Sequence, residues 1–414
     1  MFSRMQSKLS QFRGAYPSQF WLMFWGMLIS TVGSSMVWPF LMIFATKEVG
    51  LNMTAAGSLL TIQASVALAS AFVAGPLIDR VGRKWMMVLS LLGMGTVYLF
   101  YTRADSYFFL AALMSMTGFF NPLYRVGADA MMADLIPPEQ RQDGYALLRM
   151  ANNLGIAVGP MIGGLAASIS YDIAFIGAAV GMSSFALLVA AFARETLAKQ
   201  GSQQTRSDTP AEKLGGYAQI FADRPFRGFI FAFTLTQLCA ALIWILLGVH
   251  AQRNFGVGED QYGLIPATNA VMVVVFQAVV SMLTRRRRPL RVLALGSLFY
   301  AVAVTSVAFG TSFWHFWLSM VIMTTGELML MPTSTTYTAN LAPAHMRGRY
   351  MSVYSLTWGV AQGVGSLGGG ILADQISPSA PWLAGGAAGL AAVIAFVVLS
   401  RQAKAREREL APGD

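Results

Sequence analysis

Residues Gly75–Lys84 read GPLIDRVGRK. An apolar stretch precedes them (54–78) and another follows (85–102). Each approaches the roughly 20 residues that a helix needs to cross the hydrocarbon core of a bilayer. The charged turn between them cannot enter hydrocarbon, so the segment reads as the tip of a helical hairpin. Gly82 permits the tight turn, and Arg80, Arg83 and Lys84 hold it at the headgroups. Asp79 falls at the membrane edge, where a carboxylate can face the positive start of a neighbouring helix or an arginine. The competing reading is an ordinary basic loop.

Working outward, ten more apolar runs complete a set of twelve. The first six spans are 19–46, 54–78, 85–102, 107–135, 144–169 and 171–192. The second six are 227–249, 263–283, 290–309, 313–341, 350–376 and 381–399. Composition agrees: 55% of the 414 residues are hydrophobic and only 12% are charged. That is too little charge for a water-exposed surface, which excludes a soluble enzyme and a disordered chain. The expected class is an all-α integral membrane protein with twelve transmembrane helices in two six-helix bundles.

The net charge is +10. The excess gathers on one side of the spans: the N-terminus, Arg80/Arg83/Lys84, Arg141, the 193–226 segment, Arg285–Arg288, Arg347/Arg349 and the Arg401–Arg408 tail. Retention of Lys and Arg on the cytoplasmic side then puts both termini in the cytoplasm. The expected location is a bacterial inner membrane. The first span is too long for a signal peptide. Residues 1–14 put Met5, Leu9 and Phe12 on one face, consistent with a short interfacial helix. Arg285–Arg288 reads as a topology anchor on anionic lipid, so nucleic acid is not an expected partner. One cysteine, Cys239, excludes an intrachain disulfide. Histidines 250, 315 and 345 fall at span ends, so no metal site is expected.

The polar stretch 193–226 contains GSQQTRSDTP, a flexible linker. It separates an N-terminal bundle (1–192) from a C-terminal bundle with a short tail (227–414). The halves repeat. A shift of 206 residues lays Trp38 on Trp244, Gly57 on Gly263, Leu135 on Leu341, Pro137 on Pro343 and Arg141 on Arg347. Gly159, Gly163 and Gly164 fall on Gly365, Gly369 and Gly370. Parallel repeats of this kind place a substrate site near the bilayer midplane between halves that rock against each other.

In the fifth span, Gly155–Gly164 reads GIAVGPMIGG. Small residues at this spacing let helices approach closely, and Pro160 favours a bend. Simple packing is the plainer reading of Gly155, Gly159, Gly163 and Gly164.

With both motifs in hand, the chain resembles the major facilitator superfamily of transporters over almost its whole length. GPLIDRVGRK matches the family signature Gly-x-Leu-x-Asp-Arg-x-Gly-Arg-Lys, and the span-5 run resembles the motif of the drug:proton antiporter branch. The resemblance implies a conformational latch of Gly75, Asp79, Arg80, Gly82, Arg83 and Lys84 that engages the start of span 11. It further implies that Gly155, Gly159, Pro160, Gly163 and Gly164 let spans 5 and 8 pack and rock. A span-4 arginine common in that branch is missing: Met114 stands at its place, four residues before Gly118.

Charges inside spans are costly, at about 2.5–3.5 kcal/mol each on insertion scales, and are functional by default. Asn121, Arg125 and Asp129 lie at i, i+4 and i+8 on span 4, and Arg149 enters span 5 at similar depth. They form a candidate charge network, either structural or gating. Glu327, in TTGELMLMP, has no cation within one turn in sequence and falls on Asn121 under the 206 shift. A carboxyl at that depth can load and release a proton, which makes it the candidate coupling site; a structural hydrogen bond between helices is the alternative. Candidate cavity residues are Gln63, Gln237, Asn269, Gln277, Tyr354, Trp358 and Gln362. No nucleotide-binding Gly-x-x-x-x-Gly-Lys-Ser/Thr loop is present, so no cofactor is expected and the proton gradient is the energy source. The expected function is proton-coupled efflux of small amphiphilic or lipophilic compounds. Uptake of a sugar or organic anion, or lipid flipping, are the alternatives. The expected partners are a small-molecule substrate, protons and membrane lipids, and the chain is expected to act as a monomer.

Overall fold

The computed structural model describes residues 16–136, 141–196, 219–343 and 346–410. The interfacial helix expected at 1–14, the GSQQTRSDTP stretch, Pro137, His345 and the side chains of Asp79, Arg141 and Arg347 lie outside what is described.

The described chain is helical throughout. The helices are α1 (Ser18–Lys47), α2 (Met53–Val81), α3 (Arg83–Tyr101), α4 (Tyr107–Leu135), α5 (Arg141–Ile169) and α6 (Tyr171–Phe192). After the linker come α7 (Arg224–Phe255), α8 (Glu259–Thr284), α9 (Pro289–Val307), α10 (Phe313–Leu341), α11 (Arg347–Gln375) and α12 (Ala380–Leu410). All twelve expected spans fall on these helices. Helix α4 has the bounds read from the sequence.

Helices α7 and α12 outrun their apolar runs. Apolarity marks only the part in hydrocarbon, whereas helical hydrogen bonding continues into the headgroup layer. Within α1 a 3-10 turn at Trp38–Phe40 interrupts the helix where Pro39 removes a backbone donor. Nine of the described helices are apolar enough to qualify as spans on hydropathy alone. Helices α4, α10 and α11 carry the polar residues instead: Asn121, Arg125, Asp129 and Asp134 on α4, and Glu327 on α10.

Local chemistry sets several ends. Asp223 caps α7 by accepting the Phe226 N–H at 3.2 Å, and the same carboxylate accepts the Tyr350 hydroxyl at 2.9 Å. Gly256, at φ 67, closes α7 in the left-handed conformation that glycine favours.

Packing divides the chain into two compact units. One comprises the described residues within Met1–Leu41 and Ser65–Gly201, the other those within Met42–Ala64 and Ser202–Asp414. The end of α1 and the first half of α2 thus pack with the second half of the sequence. In the first unit α1 lies against α5 and α6, and α3 against α4 and α6. In the second, α9 packs on α10 and α12, α7 on α11 and α12, and α8 on α10.

Small residues allow the closest approaches. A Cβ at Gly155 would stand 2.7 Å from Thr31 Cβ, at Gly159 2.5 Å from Ser35 Cβ, and at Gly163 2.3 Å from the Met36 carbonyl oxygen. In this unit the span-5 glycines therefore press α5 against α1. Close backbone approach of this kind is what holds helices together where lipid offers no hydrophobic drive.

Candidate functional site

The GPLIDRVGRK turn sits in the first unit, held by two acids that reading the sequence did not single out. Glu195, just past the end of α6, accepts the backbone N–H groups of Arg83 (Oε1, 3.1 Å) and Lys84 (Oε2, 3.0 Å). It thereby satisfies orphan donors at the start of α3, where the helix dipole favours an anion. The Arg83 guanidinium forms an ion pair with Asp134 at the end of α4 and donates to Thr196 Oγ1 at 3.3 Å. Gly82 adopts φ +97, and a Cβ there would meet Glu195 Oε2 at 2.5 Å. That conformation favours glycine, and a side chain there would also displace the Glu195 carboxylate from the two amides it caps. Gly75 has open space where a Cβ would go, so nothing in its surroundings requires glycine.

Changing Asp134 to asparagine should leave Arg83 partly buried without its counter-ion. The expected cost is on the order of 1–2 kcal/mol, discounted because both side chains keep some exposure. A lowered unfolding temperature in detergent, recovered by Asp134→Glu, checks it.

Asn121, Arg125, Asp129 and Arg149 are all exposed on the protein surface. Among the described residues the ion pairs are Lys47–Glu259 and Arg83–Asp134, so Arg125 and Asp129 lie on one face of α4 without a salt bridge between them.

Glu327 is half-buried on α10 and faces α8. Asn269 Nδ2 donates to Glu327 Oε2 at 2.7 Å and to Thr324 Oγ1 at 3.0 Å. Thr324 in turn donates to the Met320 carbonyl at 2.8 Å, so its oxygen is oriented to accept. Both Asn269 and Thr324 are buried. Two turns along α8, Gln277 donates to the carbonyl of Leu328, next to Glu327, at 3.1 Å. The other flank of α10 is set by glycine: a Cβ at Gly326 would meet the Gly296 carbonyl at 2.7 Å and Tyr300 at 2.9 Å. The carboxyl thus accepts from an amide donor and is carried on a helix packed closely against α9. Two of the seven cavity candidates, Asn269 and Gln277, converge on the Glu327 segment.

The other cavity candidates lie elsewhere. Tyr354 shares a hydrogen bond with Ser334 at 2.8 Å and stacks on Phe233 with ring centroids 5.1 Å apart. Gln237 is buried, with no partner on its Oε1. Gln63 and Gln362 are half-buried and Trp358 is exposed.

His250 is buried in an aromatic box of Phe255, Phe316 and Trp382, and its Nδ1 lies 3.1 Å from Asn254 Nδ2. No cluster of three or more metal-ligating side chains occurs among the described residues.

Twelve long helices in two compact units, nine of them apolar enough to cross a membrane, fit an integral membrane protein. The sequence profile of the Major Facilitator Superfamily matches residues 23–241 and 229–413, and the chain belongs to that superfamily. It is a transporter, not an enzyme. Among its relatives is a Na(+), Li(+), K(+)/H(+) antiporter of Planococcus maritimus, 25% identical over 354 residues, covering 79% of this chain and 83% of that one. The multidrug resistance protein MdtH of Escherichia coli is 22% identical over 408 residues, covering 98% and 99%. The class H tetracycline resistance protein of Pasteurella multocida is 27% identical over 260 residues, covering 61% and 64%. The fold is shared with a POT family transporter crystallised with 5-aminolevulinic acid, with a TM-score of 0.79 at 17% identity over 93% of this chain and 96% of that one.

Proposed function

We propose that this protein exports small amphiphilic or lipophilic compounds in exchange for protons, with Glu327 as the proton carrier. The observation that supports this is the Asn269–Glu327 hydrogen bond: a carboxyl placed inside the helix bundle and oriented by a buried amide. In this reading the protein is a monomer in a bacterial inner membrane with both termini cytoplasmic. The halves 1–192 and 227–414, joined by the 193–226 linker, rock in alternation.

A proton entering from outside neutralises Glu327 and weakens the hold on cargo, which leaves. Deprotonation on the inner side restores the binding state. Inward proton movement supplies about 2.3 kcal/mol per charge per 100 mV, plus the pH difference. The relatives are consistent with exchange: one is named as a cation/proton antiporter and two as drug resistance proteins. Arg125 and Arg149, exposed on α4 and α5, favour a second reading in which an anionic metabolite is taken up.

Counterflow in proteoliposomes separates the two. Efflux predicts that lipophilic cations such as ethidium exchange and that a pH gradient drives their net movement. Uptake predicts that anionic metabolites exchange and ethidium does not.

Asn269 gives a finer test. Asn269→Ala removes the donor to Glu327 Oε2, whereas Asn269→Asp keeps the volume but puts a second carboxyl beside the first. We expect the pH at half-maximal transport to move by about one unit or more in both variants, with expression retained. Unchanged pH profiles would detach Asn269 from coupling.

A further inference from the structure

At the opposite helix ends from the GPLIDRVGRK turn, Asp374 near the end of α11 reaches the start of α2. Its Oδ1 accepts the Met53 N–H at 3.2 Å; its Oδ2 accepts the Thr54 N–H at 2.7 Å and the Thr54 hydroxyl at 2.7 Å. These N–H groups belong to the first turn of α2, where no intrahelical acceptor exists and the dipole is positive. Asn52 accepts the Ala55 N–H at 2.8 Å, so α2 supplies part of its own cap and takes the rest from α11.

Close by, Lys47 at the end of α1 pairs with Glu259 at the start of α8 at 2.6 Å, and the Glu259 side chain is 8% exposed. Below these polar contacts the two backbones nearly touch. A Cβ at Gly370 would stand 2.4 Å from the Met53 carbonyl oxygen, and one at Gly57 would stand 2.3 Å from that of Ser366. Thr61 donates to the Gly363 carbonyl at 2.7 Å.

The seam therefore runs for two turns, and Ser366 at its centre is fully buried. At its end, three donors of α2 converge on one carboxylate. All of these residues belong to one compact unit, although 42–64 and 259–375 lie in different halves of the sequence.

We propose that Asp374 is a clasp for the outer face: its carboxylate holds the Met53–Thr61 segment on α11, seconded by Lys47–Glu259, and must let go each time that face opens. Simple helix capping does not need a residue some 320 positions away, because Asn52 and Thr54 stand next to the same amides. A long-range charged cap is one that can be made and broken as helices part. It acts at the helix ends opposite the turn held by Glu195 and Asp134. The proposal rests on the reading of the chain as a carrier that opens its two faces in turn, and not on Glu327 carrying the proton.

The test uses the full chain bearing Ser366→Cys as a reporter, with the parent chain, whose single cysteine Cys239 is buried, as blank. Labelling by a membrane-impermeant maleimide is followed in intact cells and in everted vesicles, with neither cargo nor pH gradient. Asp374→Asn should raise the labelling rate in cells about five- to tenfold, the shift expected when a charge-assisted hydrogen bond becomes a neutral one. Glu259→Gln should raise it less, and the two together more than either alone. Equal rates in parent and Asp374→Asn would overturn the clasp. So would a lowered unfolding temperature with unchanged labelling, which is what a purely structural cap gives. Acceleration confined to everted vesicles would equally refute an outer-face clasp, and would point to inverted topology. Glu259→Gln keeps the test open should Asp374→Asn fail to accumulate.

Discussion

Replacing Glu327 by glutamine should abolish pH-driven accumulation of a transported dye while leaving exchange of that dye across the membrane. Glutamine keeps the volume and can still receive the Asn269 Nδ2 hydrogen bond on its carbonyl oxygen, so α8 and α10 should remain joined. What it cannot do is take up and release a proton. One coupled proton contributes about 1.4 kcal/mol per unit of pH difference, which sets the accumulation ratio at about tenfold per pH unit. Loss of that drive should leave a ratio near one. Exchange needs no net proton movement and should survive, with weaker apparent affinity if the neutral side chain mimics the protonated state. Gradient-driven accumulation and counterflow, measured on the same proteoliposomes, separate the two effects. Loss of both would show that Glu327 is a structural element of the α8–α10 contact.

The second large effect concerns Gly163. A Cβ there would lie 2.3 Å from the Met36 carbonyl oxygen and 2.6 Å from its Cα. Both atoms belong to backbone, so no side-chain rotation relieves the clash. Gly163→Val must push α5 away from α1 and open the seam at Gly155 and Gly159 as well. The expected cost is about 3 kcal/mol or more, at the upper end for overpacking because the obstacle is rigid. The protein should accumulate poorly and unfold at a clearly lower temperature in detergent. Gly75→Ala, in the other motif, should leave both quantities unchanged, because nothing lies within 4 Å of a Cβ at that position. A mild Gly163→Val would mean that α5 and α1 slide freely.

The contrast between these two glycines shows where sequence reading stops. Spacing marked both motifs as special, but only packing tells which glycines are needed for space. The helices themselves are readable because each is a long apolar run, and spans 4, 6 and 10 coincide with their helices residue for residue. Even α4, α10 and α11, the least apolar, are legible as spans, because their few charges sit inside long apolar runs. The polar partners were not readable. Asp134 and Glu195 lie 51 and 112 positions from Arg83, and Asp374 lies 320 from Thr54. A signal does exist for Asp134 and Asp374, where a carboxylate at a helix end with no basic neighbour in sequence is a group in need of a distant donor; Glu195, beside Arg194, carries no such mark. Glu327 showed the same kind of signal, and its depth in the span made it legible; that Asn269 would be the residue to meet it was not.

Packing also shows a contact that composition does not mark. The polar linker separates six spans from six, yet residues 42–64 pack with the second half. Glycines at 57 and 370 let the backbones of α2 and α11 come together. The 206-residue repeat is a pattern in the sequence, and the α2–α11 seam is a contact that such a pattern does not specify.

The central claim is that cargo and protons exchange through Glu327. The most direct measurement is cargo-evoked proton flux in proteoliposomes that enclose a pH-sensitive dye, with the membrane potential clamped and ethidium added on one side. The account predicts a change in lumenal pH that follows ethidium movement in the wild-type protein and is absent in Glu327→Gln. A Glu327→Gln protein that moves protons with ethidium as the wild type does would contradict it.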